Sequence, residues 1–386
     1  MNRILGYIKG DKVIWMAVII LSALSIVAVY SSTSTLAFRL KDGNTEYYMI
    51  KQLGLLLFGL FLMYVVHLVK FTYFSRISQF LFVVAIPLLI YTLARGAEYN
   101  EASRWITIPG LHLTFQSSDL AKLALVIFLA RTIALKSDKL NDFNAIIYPL
   151  FLPVFIIVGL IFPANNSTAG ILLLISLLML YFGGVSPKIL VKFTGLTVVA
   201  LVVLLGFFML ITPESTRVNT LFSRVDKFVS HQIEDGSQEE QALIAIASGK
   251  LFGKLPGHST QKNILPHPYS DFIYAFIIEE YGLFGGIIVL LMYLIILYRG
   301  IRIAIRAPGT FSGLTALGIT LLVVSQAMIN MMVAVNLFPV TGQPLPLVSM
   351  GGTSILFTCL SLGILLSISR EVYSNEEESV NVQKAV

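Results

Sequence analysis

The feature that most restricts this chain is the length of its apolar runs. Val13 to Val29 and Ile287 to Leu297 are continuous and carry no charge. A soluble core is built from short apolar patches that alternate with polar residues, whereas bilayer hydrocarbon demands roughly 20 predominantly apolar residues in a row. Composition agrees: of 386 residues, 56% are hydrophobic and only 12% are charged, too little polar surface to coat a water-soluble globule of this length. The expected fold class is therefore an all-α polytopic integral membrane protein.

Counting runs long enough to cross gives about ten transmembrane helices, starting near Val13, Tyr48, Ile77, Leu120, Ala145, Gly170, Ile189, Phe272, Phe311 and Thr353. An even number puts both termini on one side. Basic residues gather at alternate connections: Arg3, Lys9 and Lys12, then Lys70 and Arg76, Arg131 with Lys136 and Lys139, Lys188 with Lys192, and Arg299, Arg302 and Arg306. Lys and Arg in short loops mark the cytoplasmic side, so both termini are expected there. The same spread argues against nucleic acid as the reason for the net charge of +6, since no single face collects it. The first apolar run exceeds a signal-peptide core and has no small-residue cleavage site after it, so it reads as a retained span. The single cysteine, Cys359, lies in the last apolar run and is assigned to packing.

This orientation leaves three outer segments: Arg95 to Ser118, Thr212 to Ser270, and Phe338 to Gly352. The organisation expected is one transmembrane domain over 1–370, with 212–270 as a large outer loop between helices 7 and 8, followed by a disordered cytoplasmic tail over 371–386. The long loop alone has a soluble composition, and long loops tend to carry function. Gln238 to Ile246 within it reads as a short helix on the membrane surface.

Ionisable side chains within spans are costly and are functional candidates by default. Asp119 and Lys122, three apart at the outer start of the fourth span, share a helix face and can pair; a plain ion pair and a substrate-facing pair both fit. Glu279 and Glu280 fall roughly 12 to 14 Å into the eighth span at 1.5 Å per residue. Adjacent on a helix, they point about 100° apart, so at least one needs an interior partner, and a packing role is favoured. Asp271, at the start of that span, fits a first-turn carboxylate stabilised by the helix dipole. A catalytic role would require desolvation or a neighbouring acid to restore its basicity. Arg104 and Trp105 fit either interfacial anchors or a platform for a sugar with a cation for a diphosphate.

The stretch from Phe338 to Ser354 contains Pro339, Pro344, Pro346, Gly342, Gly351 and Gly352 and cannot be a continuous helix. A bent or re-entrant segment is expected, tolerated at membrane depth only against protein or a wet cavity. Gly351 and Gly352 before a helix start would present backbone N–H groups to an anion. No phosphate-cradling loop, dinucleotide fingerprint or His/Cys cluster with zinc spacing occurs, and the five histidines are scattered, which disfavours an ATP-driven pump, a membrane dehydrogenase and a zinc protease.

Several motifs together carry a resemblance. They are Pro339 to Pro346 with Ser349 to Ser354, Leu265-Pro266 followed by Ser270 to Ala275 and Glu279 to Gly282, Ala102 to Ile106, and Phe115 to Lys122. In this order they are similar to the signatures of the SEDS glycosyltransferases, the FtsW/RodA/SpoVE family, and they extend across most of the chain. One departure is visible at Pro163 to Ala169, where many members carry Gln-Pro-Asp and this chain has Asn165-Asn166 and no acid. Ser31 to Thr33 and Gln261 to Asn263 favour the division branch over the elongation branch.

The resemblance implies a peptidoglycan glycosyltransferase that polymerises lipid II at the outer face of the bacterial cytoplasmic membrane for septal wall synthesis. Asp271 matches the family's essential acid and is assigned as general base for the acceptor hydroxyl, with a diphosphate leaving group. Lys122 and Arg104 are assigned as phosphate-side cations, Asp119 as the orienter of Lys122, and Trp105 as a sugar-facing wall. Ser349 and Thr353 join the substrate-binding set, while Glu279, Glu280, Pro344, Gly351 and Gly352 support it. A divalent cation, Mg or Mn, would help neutralise the diphosphate, although the sequence offers no dedicated cage. Expected partners are a class B penicillin-binding protein of the FtsI type, other divisome proteins and membrane lipids. A lipid II flippase, an elongation (RodA-type) polymerase and a scaffold are the rival readings.

Overall fold

The computed structural model describes residues 10–40, 44–95, 97–99, 102–108, 113–211, 230, 236–261, 264 and 269–385. Much of the outer loop expected over 212–270 lies outside them, including the Leu265-Pro266 motif and Lys262-Asn263.

The helices are α1 Lys12–Ser32, α2 Ser34–Leu40, α3 Thr45–Leu68, α4 Thr72–Arg95, α5 Ser117–Leu135, α6 Phe143–Ile161, α7 Asn166–Phe182, α8 Pro187–Ile211, α9 Gln238–Gly249, α10 Ile273–Arg306, α11 Thr310–Ala334 and α12 Thr353–Ala385. Among the described residues, seven stretches are long and apolar enough to cross a membrane: α1, α3, α4, α6, α10, α11 and the Thr353–Ser374 part of α12. The helices α5, α7 and α8 stand at the other three expected positions, and every expected start lies within five residues of a helix start. The chain is thus a multi-pass helical membrane protein.

Local chemistry explains the helix starts. Asp11 Oδ1 accepts from Val13 N at 2.9 Å and Ile14 N at 3.3 Å, and Asn44 Oδ1 accepts from Tyr47 N at 3.0 Å. In α9, Ser237 Oγ accepts from Glu240 N at 3.2 Å while the Glu240 carboxylate reaches back to Gly236 N at 2.6 Å, a reciprocal cap of two otherwise orphaned donors. That helix confirms the short element expected at Gln238. In α6, Pro149 cannot donate to the ladder, and Ile147–Phe151 widens into a π-turn around it. The helix α12 continues to Ala385, past the Arg370 at which a disordered tail is expected to begin. Glu376, Glu377, Glu378 and Lys384 are good helix formers that extend the span's ladder.

Two elements depart from the sequence reading. Between α4 and α5 an antiparallel sheet forms from β1 Ala97–Tyr99, β2 Ala102–Ile108 and β3 Leu113–Gln116, in the order β1-β2-β3. Trp105-Ile106-Thr107-Ile108 supplies the aromatic and β-branched residues that suit a strand, in a segment read only as an outer loop. The eighth span is also not continuous: Gly282, at φ 69° and ψ −172°, breaks α10. There Lys254 N donates to Glu279 O at 2.9 Å and Leu255 N to Glu280 O at 3.0 Å, while Leu283 N donates to Lys250 O at 2.9 Å. The ladder bonds lost at the break are replaced by an inserted loop.

Burial ranks the helices. Within their most apolar windows α11 and α12 are 67% and 72% covered by protein, against 22% for α3 and α4, so α11 and α12 are central. One end of the bundle is locked around Asp11, which is 1% exposed. Arg299 Nε donates to Asp11 Oδ2 at 2.6 Å, Tyr373 OH to the same oxygen at 3.1 Å, and Asp11 N to Ser369 Oγ at 3.0 Å. The starts of α1 and the late turns of α10 and α12 therefore share one end of the molecule.

Candidate active site

The irregular stretch 335–352 between α11 and α12 is non-helical as its prolines and glycines demand, and its carbonyls must find donors away from water. Side chains from three helices provide them. Asn330 Nδ2 donates to Gln343 O at 2.7 Å, and Gln326 Nε2, one turn earlier on α11, donates to Pro344 O at 2.9 Å. Tyr293 OH of α10 donates to Pro346 O, and Ser25 Oγ of α1 to Val348 O at 2.8 Å. Gln52 Nε2 of α3 donates in turn to Ser25 Oγ at 2.8 Å. Pro344, expected as a support residue, contributes through its carbonyl.

Asp271 stands two residues before α10 and is half-buried. Its turn is fastened at three points: Asn330 Nδ2 of α11 donates to Asp271 O at 2.8 Å, and from the irregular stretch Ser349 Oγ donates to Ser270 O at 2.6 Å and Met350 N to Tyr269 O at 2.9 Å. Ser270 Oγ donates to Asp271 Oδ1 at 2.8 Å. Ser349, expected among the substrate-binding residues, is 1% exposed and also accepts from Leu345 N at 2.7 Å. Its hydroxyl is occupied in holding the Asp271 turn.

Asp119 and Lys122 pair at 2.7 Å with side chains 5% and 8% exposed, as their spacing on α5 predicts. Lys122 Nζ also donates to Gln326 Oε1 at 3.4 Å. Asp119 Oδ2 is buried with no hydrogen-bond partner among the described residues. The pair lines a cavity with Gln326, Pro346, Ser354, Thr358 and Ser361. Gln326 and Asn330, i and i+4 on α11, thus connect the ion pair and the Asp271 turn to two consecutive carbonyls of one stretch.

Glu279 is wholly buried and is met by Lys254 Nζ at 2.9 Å, Thr260 N and Oγ1 each at 3.0 Å, Ser248 Oγ and Gln261 N each at 3.4 Å, and the Ser259 hydroxyl. Glu280 accepts from Gly257 N at 2.8 Å and from the Ser31 hydroxyl. Both carboxylates bind the inserted loop rather than the Asp271 turn. Thr353 opens α12 and its Oγ1 accepts from Gln116 N at 3.3 Å; Gln116 is the register partner of Trp105. Gly351 and Gly352 precede this helix, Gly352 at φ 54°. The side chains of Arg104 and Trp105 lie outside the described residues; their backbones lie on β2. Asn165, at the departure from Gln-Pro-Asp, caps α7 through Oδ1 to Thr168 N at 3.1 Å, and the Gln343 side-chain amide donates to the Thr168 hydroxyl. Among the described residues no three of His, Cys, Asp and Glu come together, so these residues offer no preformed cage for Mg or Mn.

Ser25, Gln326, Asn330 and Tyr293 are absent from the residues that sequence reasoning selects. Gln326 and Asn330 do carry a signal: two amides one helical turn apart in an apolar span are costly without interior partners.

The "Cell cycle protein" family model for FtsW, RodA and SpoVE matches residues 11–374. The chain is 30% identical over 373 residues to the "Probable peptidoglycan glycosyltransferase FtsW" of Geobacter sp. (strain M18), covering 96% of this chain and 98% of that one. It is 29% identical over 371 residues to the "Stage V sporulation protein E" of Bacillus subtilis (strain 168), covering 93% and 97%. In fold it is similar to a chain from a structure of a peptidoglycan synthase complex, with a TM-score of 0.73 at 23% identity, and to the crystal structure of RodA from Thermus thermophilus, with a TM-score of 0.66 at 24% identity. Each comparison covers 94% of this chain and 98% of the other. A model that matches nearly the whole chain, on a fold of the same kind, places this protein in the FtsW/RodA/SpoVE family.

Proposed function

We propose that the chain is a peptidoglycan glycosyltransferase that polymerises lipid II in septal wall synthesis, with Asp271 as its general base. The acceptor 4-hydroxyl gives its proton to the Asp271 carboxylate as its oxygen attacks the anomeric carbon of the donor. The bond from that carbon to the diphosphate breaks, undecaprenyl diphosphate departs, and the proton passes to solvent. A diphosphate needs no general acid, only neighbouring cations. Lys122 and Arg104 take that role, with Asp119 orienting Lys122, and Trp105 and Thr353 lining the sugar side.

The observation that carries this reading is the triple fastening of the Asp271 turn, to Asn330 of α11 and to Ser349 and Met350 of the irregular stretch. Such fastening holds a carboxylate at a set position, which a base must keep relative to its reacting hydroxyl. The Asp119–Lys122 pair reaches the same stretch through Gln326. The spread of Lys and Arg supports cytoplasmic termini, which puts Asp271, at the opposite end from Asp11, on the outer face. The outer loop over 212–270 and a class B penicillin-binding protein as partner belong to the same reading.

Polymerisation of labelled lipid II by the purified chain, with and without that partner, tests it. Asp271→Ala should abolish product while its elution and melting stay those of the parent; equal product from both would remove Asp271 from the mechanism. Lys122→Ala should cost well over tenfold, and a mild loss would leave the pair a structural one. The flippase reading draws on the same buried pair and broken helices, features that transporters share; glycan made by the chain alone discards it.

A further inference from the structure

Residues 250–257 belong by sequence to the outer loop, yet their backbone lies against the break in α10. Gly282 is seventeen residues from Arg299, about 26 Å along a helix at 1.5 Å per residue. Arg299 is bound to Asp11 at the basic end of the bundle, where Arg302 and Arg306 follow it. A hydrocarbon core is about 30 Å thick, and any tilt of α10 shortens the depth further. With the Arg299–Asp11 pair at the interface, the break falls inside the hydrocarbon on the Asp271 side, together with the loop paired with it.

Its backbone is treated accordingly. Lys254 N and Leu255 N are taken by carbonyls of α10, and the carbonyls of Lys250 and Leu251 accept from Leu283 N and Phe284 N at 2.9 and 3.5 Å. Only glycine permits this seam: a Cβ on Gly253 would stand 2.2 Å from Glu280 O, and one on Gly282 2.2 Å from Leu251 O. The polar side of the loop turns inward, where Lys254, Ser259 and Thr260 cover the Glu279 carboxylate. The other side is apolar and open: Leu251, Phe252 and Leu255 are 56%, 77% and 65% exposed. Phe252 meets the ring of Phe284 at 5.5 Å, so this face runs without interruption into Leu283, Phe284, Ile287 and Ile288 on the exposed side of α10.

We propose that residues 250–257 form a re-entrant wedge inserted into the bilayer, with Leu251, Phe252 and Leu255 in contact with lipid acyl chains. An exposed apolar patch in water would be a liability; in hydrocarbon it continues the surface of the neighbouring span. The wedge also brings into lipid the donors that neutralise Glu279, a carboxylate that could not stay ionised there alone. It stands apart from the glycosyl-transfer reading, because it depends only on the membrane fold.

The test uses the full chain reconstituted in phosphatidylcholine–phosphatidylglycerol vesicles. Cys359 is fully buried, so the parent, put through the same labelling, serves as the blank. Phe252→Cys and Leu255→Cys are labelled with an environment-sensitive NBD fluorophore, beside Ile288→Cys as the lipid-facing reference and Ser137→Cys as the aqueous one. Lipids brominated along the acyl chain should quench labels at 252 and 255 at least half as strongly as at 288, and iodide on both sides of the membrane should quench them less than half as strongly as at 137. Iodide quenching equal to that at 137 overturns the proposal, placing the segment in water. Protection from both quenchers also overturns it, because protein would then cover the patch.

Discussion

Between α11 and α12 the chain leaves the helix for the stretch 335–352, and each of four carbonyls there is met by a side chain, Asn330, Gln326, Tyr293 and Ser25. The segment 250–257 meets the same demand mainly through its backbone: groups of Lys250, Leu251, Lys254 and Leu255 pair with those that Gly282 frees in α10, and at Gly257 N a side chain, Glu280, steps in. In lipid both demands are absolute, because water cannot supply the missing partners. The two solutions differ in what they can tolerate. A side-chain donor can be lost one bond at a time, whereas a main-chain seam needs close approach along its whole length.

Removing Glu279 should therefore have the largest effect. Glu279→Ala leaves the donors of Lys254, Ser259 and Thr260 without their acceptor and should cost about 3 kcal/mol, as loss of one partner of a buried ion pair does. A lowered melting temperature in detergent, with faster hydrogen exchange at Lys254 N and Leu255 N, checks it; unchanged exchange would show that the seam holds itself. Gly282→Ala comes next, at about 2 kcal/mol, because its Cβ would stand 2.2 Å from Leu251 O at φ 69°. Gly54→Ala, with nothing within 4 Å, should melt like the parent, and equal losses at 54 and 282 would deny the seam its importance.

On the other side of the comparison, Asn330→Ala should cost about 1.5 kcal/mol yet reduce turnover of lipid II more than tenfold with little change in KM. It removes the donor shared by Gln343 O and Asp271 O. A fall in turnover no larger than that of Ser25→Ala would mean that the Asp271 turn holds its place without it. Ser25→Ala should have the smallest effect, about 1 kcal/mol by melting, as Val348 O loses its donor and Gln52 Nε2 its acceptor while the Asp271 turn keeps its bonds. If Ser25→Ala matched Gly282→Ala, side-chain and main-chain satisfaction would not differ as drawn.

The irregular stretch was legible in the amino-acid order because three prolines and three glycines interrupt it. The break in α10 was not, since an isolated glycine in an apolar run is ordinarily tolerated. Asp119 and Lys122 could be paired from their spacing alone. Ser349 could be marked from its motif, but its bond to Ser270 O, 79 residues away in the chain, could not be foreseen. The sheet around Trp105 was missed because a strand there competes with the loop signals of Gly96, Pro109 and Gly110.

Amino-acid order by itself determined that this chain lives in lipid, where its long helices begin, and that the backbone must leave the helix between Phe338 and Ser354. Those properties depend on the length of apolar runs and on local stereochemistry, which neighbours in sequence settle. Only the tertiary structure decided that Asn330 holds Asp271, that Gln326 joins Lys122 to Pro344, and that a loop fills the break at Gly282. The reason is physical: in a uniformly apolar solvent periodicity does not disclose which faces meet, so the partner of each buried polar group is chosen by packing between distant segments.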